Sequence, residues 1–182
     1  MIELWHGGAR WYGAPEIQAP RPGRYECGPG LYLTTSYSRA REYAKGPKVV
    51  TRVLLKDDIR WLEDARLPLD ALVHYVENAY RMRNKQQVIS DLRNSGRREG
   101  ERLPVSYLVN LCVNYDCLAG NQGLLLAKWL AEQGIDASLY KRSASEHWVV
   151  VFNPKVIARS NVVPAAEVSL DDYNLPLIEL PN

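Results

Sequence analysis

The sequence is short of the residues on which several functional classes depend. Its three cysteines, Cys27, Cys112 and Cys117, are an odd number with no Cys-x-x-Cys, in a chain too large to rely on cross-links. A disulfide framework and a zinc site are therefore not expected, and no pair of histidines stands at metal-ligand spacing. The longest uninterrupted apolar run is Trp148-Val-Val-Val-Phe152, far below the roughly 20 residues that span a bilayer. Met1-Ile-Glu-Leu-Trp-His6 carries neither the basic nor the apolar region of a secretory signal, so a cytoplasmic location is expected. Neither sign of charge dominates: 23 Lys and Arg against 21 Asp and Glu leave +2, too little to imply nucleic-acid binding from net charge alone. Also missing are a Walker-type phosphate loop, a Gly-x-Gly-x-x-Gly after a strand and a Gly-x-Ser-x-Gly elbow.

What is present describes one ordinary globular domain. The 182 residues are 46% hydrophobic and 24% charged, enough for one hydrophobic core and outside the range of disordered chains. Ile2-Glu-Leu-Trp-His6 alternates and stops at Gly7-Gly8, reading as a strand with His6 at its end. Residues 13–30 hold Pro15, Pro20, Pro22, Gly23, Gly28, Pro29 and Gly30 and read as a long loop. Leu31–Thr35 reads as a strand, Tyr37–Lys45 as a short helix capped by Thr35 or Ser36, and Lys48–Leu55 as a strand. Helical spacing then recurs at Leu69, Leu72, Val73, Val76 and Tyr80, at Leu108, Leu111, Cys112 and Tyr115, and over Leu124–Glu132, closed by Gly134. Ser95–Arg102 reads as a mobile charged loop, and Ala137–Lys141 and Trp148–Phe152 as strands. No internal repeat is evident in this order. An α+β domain over residues 1–182 is expected, with a helical insertion at about 60–120.

Charge is uneven along the chain. Residues 81–102 hold seven bases (Arg81, Arg83, Lys85, Arg93, Arg97, Arg98, Arg102) against three acids, and residues 164–182 hold four acids and no base. The basic stretch reads as a solvated helix face, or as a surface for an acidic partner or nucleic acid.

Three places could carry chemistry. His6 stands beside two glycines that let a ligand approach the backbone, although a lone His-Gly-Gly also suits a structural histidine. His74 lies inside a helical pattern and reads as structural or exposed. Tyr32, behind Gly28-Pro-Gly30, and Tyr43, on the following helix, are either two core tyrosines or the walls of a slot for a flat heteroaromatic ring. Glu146, at the mouth of an apolar strand, is either a solvent-facing strand end or a carboxylate aimed into a cleft.

Taken together, Leu4-Trp-His-Gly-Gly8, Gly28-Pro-Gly-Leu-Tyr-Leu33 with Tyr43, and Ser145-Glu-His-Trp-Val-Val150 resemble the His-Tyr-Glu motifs of poly(ADP-ribose) polymerase-like ADP-ribosyltransferases, the diphtheria-toxin branch. The resemblance covers mainly residues 2–8, 28–55 and 137–153. It implies a split β-sheet with NAD, as co-substrate, in the cleft between the halves. It also implies catalytic roles for Glu146, His6 and Tyr32: Glu146 would stabilise a ribosyl oxocarbenium ion, hold the ribose 2′-hydroxyl and orient the nucleophile. His6 would bond the adenosine-side ribose and the Gly7 backbone the carboxamide, while Tyr32 and Tyr43 would enclose the nicotinamide ring. Arg21 or Arg24 would reach the diphosphate. Ala40 stands where many members place a carboxamide-binding serine. Ala144 removes the second carboxylate or carboxamide associated with arginine modification, so arginine is not the expected acceptor. The resemblance therefore implies transfer of single ADP-ribose units to a macromolecule, a protein before a nucleic acid, with no metal or membrane involved. The size is similar to that of bacterial or phage effectors, toxins and anti-defence proteins. An NAD glycohydrolase with the same site is the nearest alternative and an RNA 2′-phosphotransferase the third reading; a non-catalytic protein- or nucleic-acid-binding module is the alternative from a different class. Target choice is expected to lie in the helical middle.

Overall fold

Ile2–Gly8 forms the strand β1, with Leu4 and Trp5 buried on its two faces, and Val49–Leu55 forms the strand β3, where buried and half-exposed positions alternate from Thr51 to Leu55. They pair antiparallel along their whole length, from Ile2 opposite Leu55 to Gly8 opposite Val49. The computed structural model describes residues 1–18 and 27–181. Within them the chain is an α+β fold of five helices, a six-stranded antiparallel sheet and a two-stranded hairpin. The sheet order is β6 (Ala137–Ser143), β7 (Glu146–Val151), β2 (Leu31–Thr34), β1, β3, β8 (Ile157–Val162). Strands β1 and β2 meet at one residue pair, Trp5 opposite Thr34. Two three-stranded ladders are thus joined at a single position.

Helix α1 (Tyr37–Tyr43) starts where expected, with Ser36 as its cap: the Ser36 hydroxyl accepts from Arg39 N at 3.3 Å. It packs on β1 so closely that a Cβ on Gly7 would lie 1.8 Å from the Ala40 carbonyl oxygen. Trp5, Tyr37, Ala40, Val50 and Leu175 form the small core beneath it. One face of the sheet carries Leu4, Leu31, Leu33, Val53, Val149 and Val151 against Trp61, Val156 and Ile178. On the other side, Val150 and Phe152 join the largest core, which is built from the helical middle.

That middle differs from the expected one. Lys85–Glu99 is one helix, α3, so Ser95–Glu99 is helical rather than loop, and Arg102–Pro104 is a strand, β5. The charged surface of α3 masked its period, because only Val88, Ile89 and Leu92 mark the buried stripe. The edge strand β8 was missed for a related reason: Ala-Arg-Ser-Asn in its centre is too polar to read as a strand.

The middle also contains an internal repeat, which corrects the expectation of none. Arg66-Leu-Pro-Leu-Asp-Ala-Leu-Val73 and Arg102-Leu-Pro-Val-Ser-Tyr-Leu-Val109 each form a strand, β4 (Arg66–Pro68) or β5, that runs directly into a ten-residue helix, α2 (Leu69–Asn78) or α4 (Val105–Asn114). A second helix follows in each half, α3 or α5 (Gln122–Glu132). The halves are bonded reciprocally. Arg66 Nη2 donates to Arg102 O and Arg102 Nη2 to Arg66 O, both at 3.0 Å. Leu69 N donates to Glu101 O and Val105 N to Ala65 O. Asn84 Nδ2 donates to Tyr115 O and Gln122 Nε2 to Tyr80 O, both at 2.6 Å. Such an exchange is what a local two-fold axis through Leu67 and Leu103, which face each other in the hairpin, produces.

The C-terminal tail returns to the sheet. Leu175 N donates to Thr35 O, Ile178 N to His147 Nδ1, and the Trp5 indole to Asp172 O. The acids of the tail are therefore partly structural: Asp172 and Glu3 both pair with Arg52. Among the described residues no helix is long and apolar enough to cross a membrane.

Candidate active site

His6, Tyr32 and Glu146 come from three neighbouring strands, β1, β2 and β7. Their connection begins at the backbone. Tyr32 O accepts from His6 Nδ1 at 2.9 Å, so that nitrogen carries the proton and Nε2 of the neutral ring is an acceptor. Burial pushes the His6 pKa below its usual 6.5, against the opposing pull of that hydrogen bond, so the ring is neutral at pH 7. Trp11 stacks on the imidazole at 4.8 Å between centroids. Nothing in the spacing of the sequence marked Trp11, because it reaches His6 through an irregular loop.

Two residues beyond Tyr32, Thr34 faces Glu146 and donates its hydroxyl to Oε1 at 3.3 Å. The same oxygen accepts from Trp148 Nε1 at 2.6 Å and Arg39 Nε at 3.1 Å. Oε2 receives one long contact, 3.5 Å from Arg39 Nη2. Oε1 is therefore saturated, while Oε2 keeps acceptor capacity. Burial opposes ionisation of this carboxyl. The donors outweigh it, Arg39 foremost and then Trp148, and hold its pKa below the usual glutamate range. Arg39 is shared, since its Nη1 also pairs with Glu42 at 2.7 Å.

Tyr32 is fixed at its far end, where its hydroxyl donates to Gly28 O at 2.5 Å and accepts from Cys27 N at 3.2 Å. Gly28 has φ +91°, a left-handed conformation that favours glycine. The Tyr32 ring tilts against Trp148 at 6.1 Å. Tyr43 is 47% exposed at the end of α1. Ala40 lies on the buried face of α1 with its carbonyl against Gly7. Arg21 and Arg24 lie outside the described residues. Among the described residues no group of three or more His, Cys, Asp or Glu is placed to hold a metal ion. His74 is on the exposed face of α2, bonded to Asn78, away from this cluster.

Arg39, Thr34 and Trp148 were not singled out in the sequence. The one available signal was Trp148, which a strand places on the same face as Glu146, two residues away. Arg39 and Thr34 reach the carboxylate only through the packing of α1 and β2 on β7.

No known family, curated protein or solved structure matches this chain.

Proposed function

We propose that the chain is an NAD-dependent mono-ADP-ribosyltransferase, with Glu146, His6 and Tyr32 at its centre. The observation that carries this reading is the hydrogen-bonded link across three strands: His6 to the Tyr32 main chain, and Thr34, two residues on, to Glu146. The reading joins that geometry to the motifs resembling the His-Tyr-Glu transferases. The single pairing position between β1 and β2 suits a sheet that opens into a cleft at this place.

The chemistry asks little of a general acid. The bond from ribose C1′ to the nicotinamide nitrogen breaks, its electron pair leaves with the ring, and nicotinamide departs neutral. The positive charge passes to the ribosyl oxocarbenium ion. An ionised Glu146 with a free acceptor at Oε2 stabilises that charge and accepts from the ribose 2′-hydroxyl. The neutral Nε2 of His6 accepts from a hydroxyl of the adenosine-side ribose. Tyr32 forms one wall against the nicotinamide, and Tyr43, half exposed, forms the other wall once the ring lies between them. A nucleophile on the macromolecular acceptor then bonds to C1′ and gives up its proton, with Glu146 as the nearest base.

The test is nicotinamide release and retention of label from NAD in whole-cell lysate, with protein and nucleic acid separated afterwards. Label on one macromolecule with wild type, and its loss with Glu146→Gln, is the expected result. Free ADP-ribose in place of labelled macromolecule would make the protein an NAD glycohydrolase. Consumption of NAD by neither protein would overturn the reading and leave a binding module.

A further inference from the structure

The donors around Glu146 are not equivalent. Arg39 has a second carboxylate, Glu42, to take its N–H groups. Thr34 already accepts from Ser36 N through its hydroxyl, so it is held from both sides. Trp148 has one donor, the indole N–H, in a residue 5% exposed. The Tyr32 ring at 6.1 Å, the Tyr140 ring at 6.3 Å and the Arg142 guanidinium over its face at 4.6 Å hold the indole. If the Glu146 side chain turned away, that N–H would lose its one acceptor in a buried, rigidly held ring, whereas Arg39 would keep its bond to Glu42 and the Thr34 hydroxyl could rotate about its C–O bond while still accepting from Ser36 N.

We infer that Trp148 is a positioning residue for Glu146: its indole N–H fixes Oε1 in one rotamer and so presents Oε2 to the ribose of the bound dinucleotide. The inference rests on the reading of Glu146 as the carboxylate that acts on NAD. Among the described residues, the charged groups near Glu146 are Arg39 and Glu42 from α1, with Arg142 of β6 over the Trp148 ring, while Lys141 of β6 stands opposite His147. His147, beside it on β7, turns to the opposite face and accepts from Ile178 N. From β2 comes only the neutral Thr34.

The test is Trp148→Phe, which keeps an aromatic ring and removes the donor. Nicotinamide release should fall about tenfold in kcat, with KM for NAD within about twofold, because an interaction that orients the reacting carboxylate is lost rather than one that binds substrate. The acid limb of kcat should move to higher pH, since Glu146 loses a donor to its charged form. In a Glu146→Gln background the same change should have no further effect. Should the Phe variant not fold, benzothienylalanine at position 148 keeps the bicyclic shape without the N–H and must give the same result. An unchanged kcat and acid limb, or an equal loss in the Glu146→Gln background, would overturn the inference. If wild type itself turns over no NAD, the functional reading fails separately. The clamp is then judged by the ¹³Cδ resonance of Glu146, whose titration midpoint must rise when the indole donor is removed and, if unmoved, rejects it.

Discussion

The imidazole of His6 is held by the main chain of Tyr32: Nδ1–H donates to the Tyr32 carbonyl at 2.9 Å across the position where the two halves of the sheet meet. The bond sets the tautomer and leaves Nε2 as an acceptor. Burial keeps the folded pKa below 6.5. NAD affinity is therefore expected to be flat above pH 6.5 and to fall only below it, as Nε2 gains a proton and can no longer accept. Folding stability has the same sign: the unfolded chain takes up this proton first, so the contribution present above pH 6.5 is lost as pH falls towards the lower folded value. Calorimetric titration of NAD between pH 5 and 8 checks the first point, and a loss of affinity beginning above pH 7 would contradict it.

Gly7 is needed for space. A Cβ there would meet the Ala40 carbonyl oxygen at 1.8 Å and its carbon at 2.7 Å, backbone against backbone with no flexible side chain to give way. Gly7→Ala should cost about 2 kcal/mol or more in chemical denaturation. Because α1 must retreat, Arg39 moves from Glu146 as well, and NAD turnover should fall further than the stability loss explains.

Asp136 is the staple between the entrance of the helical middle and the sheet. Its carboxylate, 3% exposed, accepts from Arg60 N and Nε at 3.1 Å and from Asn153 Nδ2 at 2.8 Å. Burial raises its pKa, and the donors led by Arg60 more than reverse this, so the net shift is downward. The stability it contributes is present above its unfolded value near 3.8 and disappears as pH falls through the folded one. Asp136→Ala should cost about 2–3 kcal/mol at pH 7, since the Arg60 side chain can return to water but the backbone N–H loses its partner. The difference from wild type should shrink in denaturation as pH falls below 3.8, and a constant difference would count against this account.

The local two-fold of the helical middle is not a symmetry of burial. Leu103 is fully buried, whereas its counterpart Leu67 only packs against the edge of the same core. Leu103→Ala should cost about 3 kcal/mol and Leu67→Ala about 1 kcal/mol, measured by urea unfolding. Equal costs would mean that the hairpin carries the two halves alike.

Target choice is expected to lie on α3. Arg93, Arg97 and Arg98 are exposed; Arg93 contacts Glu77 at 3.5 Å and Arg97 contacts Asn94 at 3.4 Å, and the last two arginines line a surface depression with Asp91 and Ser95. Reversing all three to Glu should leave NAD affinity within about twofold and lower transfer to the macromolecule more than about tenfold, through charge repulsion of an acidic partner. Parallel loss of NAD affinity would place the defect in the fold or the cleft.

Sequence alone determined the α+β class and most strands and helices of the sheet half, because alternating and helical apolar patterns report burial directly. It also pointed to His6, Tyr32 and Glu146 as chemically notable, since each stands at a strand or glycine boundary. Polar and charged stretches were less legible: Lys85–Glu99 and Ile157–Val162 became regular only because a narrow apolar stripe or a neighbouring strand supplied the partners. The repeat was written in the sequence as two Arg-Leu-Pro segments, yet its meaning lay in the exchanged hydrogen bonds of the hairpin. Only the tertiary structure decided what surrounds Glu146. Arg39 lies on α1, Thr34 on β2 and Trp148 on β7, and no period along the chain relates them; the packing of three elements at one carboxylate sets its charge and the direction of its less engaged oxygen, Oε2.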